Sequence, residues 1–149
     1  MQEEVMKLQG QYRFLPMERV VFGQGCLASL RREVDRLGCR RALIITGTTL
    51  TNVGLVKRVE EALGPLWVGT FSGTRQHVPS RTVIEAAQRA RAVSADVLVS
   101  FGGGSPIDTA KAVVRVLGEG IGDVRTLIAG LGTRWTDASN LLPQIAIPT

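Results

Sequence analysis

The chain has 149 residues, 44% of them hydrophobic, 21% charged and 5% aromatic. That length fits one domain and buries about two-thirds of its unfolded surface, so no disulfide or metal staple is needed. No apolar run approaches the roughly 18 residues of a membrane span, the opening MQEEVMKLQG lacks the apolar core of a secretory signal, and the Val, Ile and Leu content excludes low-complexity disorder. The expectation is a cytoplasmic domain with no membrane partner.

Taken in chain order, Arg19, Val20, Val21 and Phe22 predict a short strand ending at Gly23-Gln24-Gly25. Leu27, Leu30, Val34 and Leu37 follow at helical spacing, and Gly38 closes that helix. Residues 42–46 (ALIIT) predict a buried strand ended by Gly47, and residues 53–63 a helix stopped by Gly64-Pro65. A third strand is expected over 66–71. The next helix follows Pro79-Ser80, with Val83, Ile84, Ala87, Ala90 and Val93 on its apolar side. Residues 97–101 (VLVSF) predict a fourth strand running into Gly102-Gly103-Gly104, and a helix extends from Ser105 to about Leu117. Residues 118–140 look irregular, and residues 144–147 (QIAI) predict a last strand before Pro148-Thr149. Alternation of apolar strands with helices predicts an α/β fold, a Rossmann-like parallel sheet with helices on both faces. The glycine turns at 47 and 102–104 then fall on the edge where such sheets bind ligands.

The net charge is +5, from 18 basic and 13 acidic residues, with a pI near 10.0. The densest basic group, Arg31, Arg32, Arg36, Arg40 and Arg41, is interleaved with Glu33 and Asp35. No basic–aromatic run offers a base-stacking platform, so this group reads as a solvated helix face and no nucleic-acid partner is expected. Cys26, Cys39 and the single histidine, His77, are too few for a Cys/His metal site.

The segment that carries chemistry is VSFGGGSPIDTAKA, residues 99–112. Glycines lacking Cβ let an anion approach the main chain. Ser105 is expected to cap the helix, with Pro106 at its first position and Asp108 in a capping-box-like place. Free amides and the positive helix end then face the space over Gly102, Gly103 and Gly104, a ready pyrophosphate site. Ile107, Ala110, Val114 and Leu117 form the packing stripe, while Lys111 pairs with Asp108 or reaches toward the anion. The earlier Gly23-Gln24-Gly25-Cys26-Leu27-Ala28 does not complete GxGxxG and reads as a structural turn.

GGGSPIDTAKA closely resembles the cofactor-phosphate motif of the iron-containing (group III) alcohol dehydrogenases, a superfamily that also holds glycerol dehydrogenases, maleylacetate reductases and dehydroquinate synthases. VVFGQG, ALIIT, FSGTRQHVPS and LPQIAIPT extend the likeness over nearly the whole chain. Ser-Pro-Ile is closer to the alcohol dehydrogenase branch, and His77-Val78-Pro79 to the maleylacetate reductases. The resemblance implies that residues 1–149 are an NAD(P)-binding domain whose helical, metal-binding C-terminal partner is absent, so that iron or zinc belongs to the complete enzyme only. It implies Gly102, Gly103, Gly104 and Ser105 on the pyrophosphate, Asp108 and Lys111 close by, and Thr149 as the first cofactor-facing residue of a loop that begins at Pro148. Many NAD-preferring members carry an aspartate where this chain has Gly47, Thr48 and Thr49. That departure implies a ribose pocket that tolerates or prefers NADP. Pairing through the N-terminal strands implies a homodimer or larger species. The alternatives are a stand-alone nucleotide- or anion-binding module without catalysis, and a nonfunctional truncation.

Overall fold

A computed structural model of the chain describes residues 18–130 and 141–149. Four parallel strands, β1 (Ala42–Ile45), β2 (Trp67–Phe71), β3 (Val97–Gly102) and β4 (Gln144–Pro148), lie in the order β2-β1-β3-β4. Ile44 pairs with Thr70 on one side and Val99 on the other, and Val99 pairs with Ile145. All four residues of β1 and all six of β3 are buried, which is why these strands read as unbroken apolar runs.

Alternate side chains of the central strands fill two cores. Leu43, Ile45 and Leu98 pack under α4 (Ser80–Ala92), α5 (Gly104–Gly118) and α6 (Val124–Ala129). Ala42, Ile44, Val97 and Val99 pack under α1 (Leu30–Arg36) and α3 (Val56–Leu63). The chain leaves β1 toward β2 and leaves β3 toward β4, in opposite directions across the sheet. The ends of β1 and β3 therefore flank a topological switch point, where the crevice of a doubly wound sheet opens.

Four expectations need correction. Residues 19–22 form no strand; Val20, Val21 and Phe22 are exposed, with Phe22 at 87%, and lie outside the sheet. The helix expected over 53–63 starts only at Val56, as α3, and an unexpected short helix, α2 (Thr48–Asn52), precedes it; the two are separated at Gly54, whose φ of 76° lies in the left-handed region. The expected irregular stretch contains α6, capped by Asp123, whose carboxylate accepts from the Thr126 amide at 3.0 Å and hydroxyl at 2.8 Å. Residues 131–140 of that stretch lie outside the described residues. Finally, the expected α5 stripe is shifted: Ile107 and Leu117 are only partly buried, while Val113 and Val116 are fully buried.

The Arg-rich helix face carries one buried acid. Glu33, 7% exposed, accepts from Arg36 at 3.0 Å and Arg19 at 3.2 Å, while Arg36 also reaches Glu18 at 2.6 Å. The Arg36 hydrogen bond outweighs the opposing effect of burial and, with Arg19, holds the Glu33 carboxyl below its ordinary value of 4.5. A carboxyl with a depressed folded-state pKa contributes stability that is present above the unfolded value and lost as pH falls through the folded one. Melting temperatures recorded down through pH 4.5 should therefore fall for the parent. Glu33→Gln should melt lower at neutral pH and show a shallower acid decline; parallel curves for the two proteins would remove Glu33 from the acid response.

Candidate functional site: the crevice at the C-terminal sheet edge

Thr46, fully buried just past β1, ties three chain segments together. Its hydroxyl donates to the Phe101 carbonyl of β3 at 2.8 Å, and its amide donates to the Phe71 carbonyl of β2 at 2.9 Å. Its own carbonyl accepts from the Thr74 amide at 3.2 Å and the Thr74 hydroxyl at 2.8 Å. The turns that follow β1, β2 and β3 are thus held against one another at the same edge. At β4, the Thr149 amide donates to the Gly102 carbonyl at 3.2 Å.

The glycines divide the work. Gly102 ends β3 with φ 139°, and a Cβ there would stand 2.8 Å from Pro106 Cγ and 3.3 Å from Leu50 Cδ1. Only a residue without a side chain fits. A Cβ on Gly103 or Gly104 would meet nothing within 4 Å, so both expose main chain to open space. Gly103 is the N-cap of α5 and Gly104 its first residue. The first amides of a helix lack intrahelical acceptors and sit at its positive end, which makes this opening suited to an anion.

This geometry corrects the expected cap. Ser105 is the second residue of α5 rather than its cap, Pro106 the third, and the N-cap position has no side-chain hydrogen bond. Asp108 makes no capping box; its carboxylate accepts from Lys111 at 3.2 Å, with both side chains about two-thirds exposed (60% and 64%). So exposed a pair contributes little to stability and leaves the Lys111 ammonium able to turn toward an anion. Gly47, with φ −104°, is the N-cap of α2, whose first two residues, Thr48 and Thr49, are exposed beside the crevice. Every expected site residue therefore lies in a strand-end turn, in the first helical turns after it, or beside Gly102.

Two supports were not anticipated. Thr46 could have been noticed as the polar end of an otherwise apolar strand. Gln144 donates to Ser100 Oγ at 2.8 Å and to the Ile107 carbonyl at 3.2 Å, fastening β4 to both β3 and α5; no sequence pattern signals that pairing. Among the described residues no three of His, Cys, Asp or Glu come close enough to hold a metal ion, and no helix is long and apolar enough to cross a membrane.

Comparison with known proteins bears on the family and the fold. The profile of the family described as iron-containing alcohol dehydrogenase matches residues 17–149. The chain belongs to that family. It is 47% identical over 95 residues to maleylacetate reductase 2 of Cupriavidus pinatubonensis, covering 64% of this chain and 26% of that one. It is 35% identical over 141 residues to lactaldehyde reductase of Escherichia coli, covering 92% and 36%. The alcohol dehydrogenase from Oenococcus oeni superposes with a TM-score of 0.79 at 26% identity, over 93% of this chain and 36% of that one. The chain thus spans between about a quarter and just over a third of these relatives.

The two kinds of glycine should separate in a melting experiment. Gly102→Ala forces a side chain into the left-handed region and against a proline ring, and should cost about 1–3 kcal/mol. Gly103→Ala, placed in open space, should change stability by less than about 1 kcal/mol. Equal melting temperatures for the two variants would contradict the steric assignment.

Proposed function

We propose that the chain is the nicotinamide dinucleotide-binding part of a metal-dependent dehydrogenase, one that interconverts an alcohol with an aldehyde or ketone. The observation that carries this is the open main chain of Gly103 and Gly104 at the start of α5, on the switch point between β1 and β3. That cradle, unobstructed within 4 Å of where a Gly103 or Gly104 Cβ would stand, would hold a pyrophosphate with the amides of Gly104 and Ser105 and the helix end. Gly47, Thr48 and Thr49 would lie along the adenosine ribose, and Thr149 would border the glycine turn. Lys111, held loosely by Asp108, adds a positive charge on the same helix. Bound nicotinamide supplies the hydride donor or acceptor; these residues bind and orient it.

The family's catalytic iron or zinc does not fit the residues present. The sequence has a single histidine, and no ligand cluster forms among the described residues. No metal-assisted step is assigned to them. The purified 149-residue chain is expected to show no turnover above blank with iron or zinc, NADP and short alcohols, and robust metal-dependent turnover would overturn that assignment. A maleylacetate reductase-type domain is the second reading, favoured by the 47% identity and by His77-Val78-Pro79.

Two substitutions test the cofactor reading with little risk to the fold, because aspartate is a favourable N-cap residue. Gly103→Asp places a carboxylate where the pyrophosphate would sit and should abolish binding of both NADH and NADPH in fluorescence titrations. The parent should bind NADPH at least as tightly as NADH, since no acid at residue 47 repels a 2′-phosphate. Gly47→Asp needs the Thr74 hydroxyl, 3.3 Å from the new Cβ, to give slightly. It should reverse the order by roughly tenfold or more, the worth of a charge-assisted hydrogen bond and of repulsion of the phosphate. Unchanged affinities in both variants would place the nucleotide elsewhere.

A further inference from the structure

The turn after β2 contributes a charge that the glycine motif does not account for. Thr74 is fastened to the Thr46 carbonyl by two hydrogen bonds, and its hydroxyl lies 3.3 Å from where a Gly47 Cβ would stand. Arg75 follows directly. It is exposed, and its guanidinium makes no ion pair among the described residues. The backbone beyond it is strained: His77 has φ 62° and Val78 φ 45°, a costly conformation for a β-branched residue, and such strain clusters at ligand-binding turns. The Val78 amide donates back to the Arg75 carbonyl at 3.2 Å, so the tight turn fixes the main chain of Arg75.

Arg75 also lines a cavity of about 320 Å³ with Pro79, Arg81, Thr82 and Glu85, at the start of α4. Thr82, only 4% exposed, brings a hydroxyl-bearing side chain to the same wall. Glu85 brings a negative charge to this wall, but its carboxylate accepts from Arg81 at 3.1 Å. That pair leaves Arg75 as the uncompensated charge of the cavity. Since α4 and α5 both begin at the C-terminal sheet edge and pack against each other, an anion held here would lie on the same edge as the glycine cradle.

We propose that Arg75 is the specificity residue that reads the 2′-phosphate of NADP, with the Thr82 hydroxyl at the start of α4 completing the subsite. The inference rests on the cofactor reading above and adds a positive determinant to the missing acid at residue 47. A guanidinium matches a phosphate monoester through paired N–H groups, a contact that NAD cannot make.

The test titrates the full chain and its Arg75→Gln and Arg75→Lys variants with NADPH, NADH, 2′,5′-ADP and inorganic phosphate, by calorimetry. Arg75→Gln should weaken NADPH and 2′,5′-ADP by about tenfold or more and leave NADH within about twofold, the pattern of one lost charge-assisted contact. Arg75→Lys should retain part of the difference, and added salt should erode the NADPH preference of the parent more than that of Arg75→Gln. Equal weakening of NADPH and NADH would make Arg75 a structural residue and overturn the proposal. So would unchanged NADPH binding, or inorganic phosphate that binds in an Arg75-dependent way without competing with 2′,5′-ADP. A parent that binds NADH and NADPH alike, with Arg75→Gln silent, defeats this proposal alone; a parent that binds neither nucleotide defeats the cofactor reading as well.

Discussion

The hydrogen bonds of Thr46 decide the shape of the crevice. A buried threonine at the end of a parallel strand brings a hydroxyl, an amide and a carbonyl that all need partners away from water. Here those partners are Phe101 in β3, Phe71 in β2 and Thr74 in the turn beyond it. Once they are made, the turns after three neighbouring strands have little freedom to move apart. The glycine turn, α2 and the Arg75 turn are then presented to one crevice as a preformed surface, and preorganisation lowers the ordering cost of binding a ligand there.

Against that frame the glycine motif combines a steric requirement with an electrostatic one. Gly102 is required because Pro106 and Leu50 occupy the space a side chain would take. That tight contact lets α5 begin immediately after β3. Gly103 and Gly104 serve the opposite end: nothing packs on them, and their bare main chain is what an anion would meet. A helix of 15 residues stands behind them, so its positive end faces the opening.

Much of the architecture was legible because β1 and β3 are buried on both faces, and a strand in that position leaves an unbroken apolar run such as ALII or VLVSF. Elements that draw on other forces were harder to read. α2 is Thr-Thr-Leu-Thr-Asn, with no apolar period, and is set by the turn after β1 and by Gly54. α6 is six residues long with only Leu127 buried, and its cap, Asp123, sits in a stretch dominated by turn formers. Val20, Val21 and Phe22 have strand propensity, but no strand among the described residues pairs with them, so propensity alone misleads. At the site, the residues of the glycine motif were found but the start of α5 was misplaced: serine is the better capping side chain, yet the close packing of Pro106 on Gly102 draws the helix start back to Gly104. Thr46 and Thr74 escaped notice because hydroxyls that bond main-chain carbonyls across distant turns leave no periodic trace.

The central claim is that the start of α5 and the turn after β1 form a nucleotide cradle. Backbone amide resonances of the chain, followed by heteronuclear NMR as NADP+ is added, test it most directly. The account predicts that the largest saturable shifts fall on Gly103, Gly104, Ser105 and Thr149, with smaller ones at Thr48 and Thr49. Absence of any saturable shift, or shifts confined to the Gly23-Gln24-Gly25 turn and α1, would contradict it.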